Sequence, residues 1–107
     1  MTERRVVLYE SAGWIVDAEM RPDGAIAICS GDSNAEWYAI IDRSSQPALL
    51  NALRRRVTWR NAPVAANGDD LLDLMAHAFS GRSPFEKIKR FLDQNGIAWR
   101  ADFWGSM

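Results

Sequence analysis

At 107 residues, with 48% apolar and 25% charged residues and a net charge of −1, the chain has the size and composition of one folded domain, which excludes two domains, a fibrous repeat and long disorder. A single cysteine excludes an internal disulfide, and a single histidine excludes a multi-histidine metal site or relay. No stretch approaches the roughly 20 apolar residues of a membrane span, and the first ten residues lack the apolar core and cleavage signal of a secretory leader, so the expected compartment is the cytoplasm.

The first half reads as strands and the second as helices, the order of an α+β domain. Residues 6–10 form a short β-branched run. Trp14, Val16, Ala18 and Met20 then alternate with Ile15, Asp17 and Glu19, the period-2 pattern of a half-buried strand. Arg21-Pro22-Asp23-Gly24 has the chemistry of a type I turn. A plain closure would set Ile26 and Ile28 against the acids, because a one-residue slip reverses every face. With Gly24 left-handed as a G1 bulge, Ile26 and Ile28 fall beside Met20, Ala18 and Val16, and the bulged form is therefore predicted. It leaves Asp17, Glu19, Ala27 and Cys29 on the other face.

Gly31-Asp32-Ser33-Asn34 is a turn, and Glu36-Trp37-Tyr38-Ala39-Ile40-Ile41-Asp42 is the next strand of the meander. Ser44 or Ser45 is placed to cap a helix carrying Leu49, Leu50 and Leu53 inward and ending in Arg54-Arg55-Arg56. Residues 57–66 read as a loop. A second helix starts near Asn67-Gly68, with Asp69 and Asp70 in its first turn, buries Leu71, Leu72, Met75 and Phe79, and ends at Gly81. Ser83-Pro84-Phe85-Glu86 predicts a capping box for a third helix with Phe85, Ile88 and Leu92 inward, Phe91 at the margin and Asn95-Gly96 at its end. Residues 97–104 allow a last strand. The predicted architecture is a single domain over residues 1–107: an N-terminal antiparallel meander of three to four strands packed by two to three helices.

No catalytic constellation emerges. His77 falls on the polar face of its helix four residues after Asp73, the arrangement of a dipole-compensating surface pair. Cys29 has no base beside it in the sequence and reads as a packed strand residue. Asp32-Ser33-Asn34-Ala35-Glu36 resembles the start of a calcium loop, but Trp37 stands where the glycine is required and Arg43 at the twelfth position. Neither a phosphate-binding glycine loop nor a nucleophile elbow occurs. The expectation is a non-enzymatic protein without cofactor or metal.

Charge is uneven: residues 1–53 carry four Arg and eight acids, a net of −4, while residues 54–107 carry a net of +3. Arg54-Arg55-Arg56 with Trp59 and Arg60 provides an alternative function, a small nucleic-acid-associated domain contacting phosphates and stacking bases. Four arginines without a basic background fit a charged helix end better. Five tryptophans exceed the needs of one small core, and tryptophan is enriched at interface centres.

The strand bearing Glu36-Trp37-Tyr38, the helix ending in Phe91-Leu92-Asp93-Gln94-Asn95-Gly96-Ile97 and the terminal Trp104 together resemble small immunity proteins of bacterial contact-dependent or polymorphic toxin systems. The likeness runs from about Trp14 to Trp104, and it departs at Asn34-Ala35, where the family has a second acid–aromatic pair. It implies an antidote that binds a cognate C-terminal toxin domain, often a nuclease, in the cytoplasm and occludes its active site. A nuclease site is basic because it holds phosphate, so an acidic sheet face suits it. The candidate partner-binding residues are Asp17, Glu19, Asp32, Glu36 and Asp42, with Trp37 as the aromatic anchor.

Overall fold

The computed structural model describes residues 5–32, 34–57, 71–79 and 83–105. The chain is an α+β domain. Four strands, β1 (Arg5–Ser11), β2 (Trp14–Met20), β3 (Ile26–Gly31) and β4 (Ala35–Ile41), precede a 3-10 turn at Arg43–Ser45. Helices α1 (Gln46–Val57), α2 (Leu71–Ala78) and α3 (Pro84–Gln94) follow, and β5 (Arg100–Gly105) returns beside β4. The sheet order is β1-β2-β3-β4-β5, and every neighbouring pair is antiparallel. The last strand is thus present. From residue 58 onward, the expected loop lies outside the described residues, as do the helix start at 67–70 and the helix end at Gly81.

The β2–β3 hairpin closes as the apolar pattern requires. Gly24 N–H donates to Arg21 C=O at 2.9 Å and Arg21 N–H to Ala25 C=O at 2.8 Å, with Gly24 at φ +90°. That conformation is open to glycine and strained for residues with a Cβ. Asp23 Oδ1 braces the turn by accepting Ala25 N–H at 2.9 Å. The resulting register pairs Met20 with Ile26, Ala18 with Ile28 and Val16 with Ser30, and continues through Ile26 with Ile41 and Ile28 with Ala39. All of these side chains therefore share one face, here called inner.

Helical spacing supplies the layer that covers this face. Leu49, Leu53, Leu71, Leu72, Leu74, Met75, Phe79, Ile88, Phe91 and Leu92 are buried in one cluster with Val16, Ala18, Ile26, Ile28, Ala39 and Ile41. Removing each large side chain from water contributes about 1.5–3 kcal/mol, so this layer carries most of the stabilisation. A bulge in β1 between Val7 and Tyr9 lets Leu8 and Tyr9, consecutive in sequence, both touch the cluster.

One helix-end expectation is corrected. Ser83 is left-handed (φ 54°, ψ 48°) and makes no side-chain cap bond, so the capping box does not form. A capping side chain needs an extended backbone to reach the N–H groups of the first turn, and here the Ser83 carbonyl accepts Lys87 N–H at 3.2 Å instead. Pro84 still opens the helix and is buried. Phe91 and Phe85 exchange places: Phe91 is 8% exposed in the core and meets Phe79 edge-on at 5.3 Å, while Phe85 is half-buried. At the far end of α3, Gly96 (φ 64°) donates to Asp93 C=O at 3.2 Å and Ile97 to Leu92 C=O at 2.9 Å. This is a Schellman closure, with Ile97 and Leu92 both buried. At α1, Asp42 precedes the 3-10 turn without a side-chain cap bond, and Ser44 and Ser45 lie within that turn.

Candidate protein-binding surface

Because side chains alternate along each strand, the register fixes a second, outer face. It carries Arg5 and Val7 from β1; Ile15, Asp17 and Glu19 from β2; Ala27 and Cys29 from β3; Glu36, Tyr38 and Ile40 from β4; and Arg100, Asp102 and Trp104 from β5. Among the described residues, the buried apolar side chains of α1 and α2, and Ile88, Phe91 and Leu92 of α3, belong to the inner cluster. On the outer face, among the described residues, Ala25, Ala27 and Ile40 form a small buried group, with Tyr38 packed on them.

The acids of this face are held by specific partners. Asp17, only 9% exposed, accepts Arg5 Nε at 2.7 Å, and Arg5 Nη2 lies at the same distance. Burial raises its pKa despite the opposing pull of Arg5, and the nearby Glu36 charge adds to the rise. Tyr38 O–H donates to Glu36 Oε2, and the Cys29 thiol donates to the same oxygen at 3.6 Å. Burial, followed by the Glu36 and Asp17 charges, pushes the Cys29 thiol up to about 12, so it is protonated and a poor nucleophile. The bond to Glu36 raises Tyr38 as well. Arg21 lies 3.9 Å from Glu19 and 5.4 Å from the centre of the Tyr38 ring. Asp17, Cys29, Glu36 and Arg5 line a concavity of about 270 Å³ that also reaches Asp32.

Asp17, Glu19 and Glu36 therefore come together on one face, as the sequence implies. Asp42 is exposed at the end of β4, 3.5 Å from Arg100. Asp32 sits in the β3–β4 turn, where its Oδ1 accepts the N–H groups of Asn34 at 2.8 Å and Ala35 at 3.1 Å. Trp37, the sixth candidate, is on the inner face, since it neighbours Glu36 and side chains alternate. The tryptophan beside the acids is Trp104, opposite Glu36 in the ladder and 52% exposed. Only the β4–β5 register reveals this, and that pairing spans the entire helical half of the chain.

Trp37 joins a second feature. On the inner face beside α3, Trp37 stacks on Trp14 at 5.8 Å and meets Phe103 at 5.1 Å. Trp14 N–H is satisfied by Ser30 Oγ at 3.0 Å. Between the Trp14 ring and the first turn of α3 lies a cleft of about 490 Å³ bounded by Tyr9, Trp14, Ser30, Pro84 and Phe85.

No family model matches the chain, and no curated protein or solved structure does either.

Of the arginine cluster, Arg54 is half-buried and Arg55 exposed on α1, while the Arg56 side chain, Trp59 and Arg60 lie outside the described residues. His77 and Asp73 lie on α2, but their expected side-chain pairing falls outside what is described. Among the described residues, no group of three His, Cys, Asp or Glu could hold a metal ion, and no helix is long and apolar enough to cross a membrane.

Proposed function

We propose that this chain is an immunity-type protein that binds a cognate toxin domain, of the nuclease kind, in the cytoplasm and occludes its active site without catalysing a reaction. The observation that carries the proposal is the outer face: among the described residues no buried helical side chain joins it, it is rich in acids, and it displays Trp104 beside Glu36. Its carboxylates are largely committed to neighbours, yet acids outnumber bases there, and a long-range field depends on that balance and not on free oxygens. In this reading the acids steer a basic active site toward the face, and Trp104 supplies the desolvated contact that holds it. Trp104 replaces Trp37 as the anchor.

The test is coexpression with the toxin domain encoded beside this gene. Cells are expected to survive, and Trp104→Ala combined with Glu19→Lys is expected to abolish protection while the isolated protein keeps its circular dichroism. Survival unaffected by the double substitution would move the interface elsewhere. No protection by the unaltered chain would reject the function.

A further inference from the structure

The two edges of the sheet differ in how they are defended. β1 carries a bulge and the charges of Arg5 and Glu10, devices that discourage strand addition. β5 is regular, and Phe103 and Trp104, on its two faces, are 55% and 52% exposed. Exposed aromatics on both faces of an unbulged edge that no other described strand pairs with mark a pairing site. Its backbone orientation is also defined. The Ala35 carbonyl accepts Asp32 N–H, so the odd residues of β4 point to β3 and the even ones to β5. In the β4–β5 ladder, Glu36 with Trp104, Tyr38 with Asp102 and Ile40 with Arg100 are then the hydrogen-bonded pairs. Ala101, Phe103 and Gly105 are left with N–H and C=O directed outward. In agreement, Phe103 N–H is satisfied by Asp102 Oδ1 at 2.9 Å, a local bond that shields the edge in a single chain.

We propose that a second copy of this chain pairs with that edge, β5 against β5 about a two-fold axis at Ala101, joining two sheets into one. Charge chooses both the occupant and the register. Two antiparallel strands related by a two-fold axis and paired through their outward groups must centre on a residue, and side chains directly opposite then share a face. Centring on Asp102 would oppose two like charges, and centring on Arg100 would do the same. Centring on Ala101 sets Arg100 against Asp102 of the second copy and Asp102 against its Arg100, two complementary pairs on the outer face. The same register brings Phe103 opposite the half-buried Trp99. Arg100 is available for this because its contact with Asp42 spans 3.5 Å between two exposed side chains. The proposal does not depend on the toxin reading, although a joined sheet would extend the acidic outer face across both copies.

The experiment is sedimentation velocity of the isolated full chain through a dilution series, with circular dichroism to confirm folding. The unaltered chain is expected to sediment as a dimer that dissociates on dilution. Asp102→Arg and Arg100→Asp, each alone, are expected to be folded monomers. An equimolar mixture of the two variants is expected to regain the dimer mass, and so is the double exchange within one chain. Ala101→Pro removes an outward N–H without touching the ladder to β4, and it is expected to be monomeric. A monomeric unaltered chain at every concentration would overturn the proposal. So would single variants that dimerise like the parent, or a mixture that stays monomeric.

Discussion

On the inner face of the sheet Val16, Ala18, Ile26, Ile28, Ala39 and Ile41 meet three helices, while on the outer face Asp17, Cys29, Glu36 and Tyr38 meet chiefly one another and Arg5. Both sets come from the same strands, one residue apart. The inner contacts are non-directional and scale with the area removed from water. The outer contacts are directional and depend on ionisation. Any substitution on the inner face should thus cost stability in proportion to volume and independently of pH, whereas substitutions outside should have pH-dependent effects.

The largest effect expected from breaking this contrast is at Ile28, fully buried at the sheet centre. Ile28→Ala should cost about 2–5 kcal/mol, read from the denaturant midpoint with unchanged slope and constant between pH 5 and 8. Next is Arg5→Ala, which leaves the buried Asp17 carboxylate without its cation. About 1–3 kcal/mol should be lost at neutral pH. Asp17 has a raised folded pKa, so its own contribution is present below its usual value near 3.8 and fades as pH rises through the folded value. Once the carboxyl is protonated in both states Arg5 has nothing to neutralise, and the cost of Arg5→Ala should shrink toward acid pH. A cost equal at pH 4 and pH 7 would show that Arg5 acts by packing.

Most of the scaffold was legible because period-2 and period-3.6 patterns report burial directly. Met20, Ala18 and Val16 could satisfy Ile26 and Ile28 only through a bulged turn, and Gly24 adopts it. The capping box at Ser83 was misread because a motif specifies which hydrogen bonds are available and not the backbone conformation that packing imposes. Phe85 and Phe91 are both apolar positions on α3, and only the location of Phe79 and the aromatic cleft decides which is covered. The grouping of Asp17, Glu19 and Glu36 followed from alternation, but alternation also places Trp37 opposite Glu36, which the grouping of acids with the nearest aromatic overlooked. Trp104 was out of reach because pairing across such a sequence separation leaves no local signal. The internal use of the carboxylates by Arg5, Tyr38 and Cys29 was out of reach for another reason: alternation reports which face a side chain takes and not which neighbour it bonds.

The thiol measures how tightly the outer cluster is held. With Cys29 near 12 against an ordinary 9.0, about a thousandfold less thiolate exists at pH 8, partly offset by the greater reactivity of a more basic sulfur, so alkylation should run roughly 30–60-fold slower than in the unfolded chain. Glu36→Gln removes the negative charge nearest the sulfur and should narrow that gap. The same shift carries a stability signature. The raised thiol pKa contributes stability that is full below pH 9 and lost as pH climbs from 9 toward 12. Cys29→Ala should therefore flatten the alkaline limb of the stability profile. A limb unchanged in Cys29→Ala would assign the loss to Tyr38, whose pKa is raised in the same sense.

The smallest effect belongs to Glu19, whose carboxylate stands 3.9 Å from Arg21 with both side chains 30% exposed. A pair that long and that wet contributes roughly 0–1 kcal/mol, and Arg21 has a second partner in the Tyr38 ring. Glu19→Ala should leave the thermal midpoint nearly unchanged. Its consequence should appear only in association with a basic partner, as a slower on-rate at low salt that converges with the parent when ionic strength shortens the Debye length to below about 8 Å. A changed off-rate would mean that Glu19 is buried in the complex, so that the acids of this face hold the partner as well as guide it.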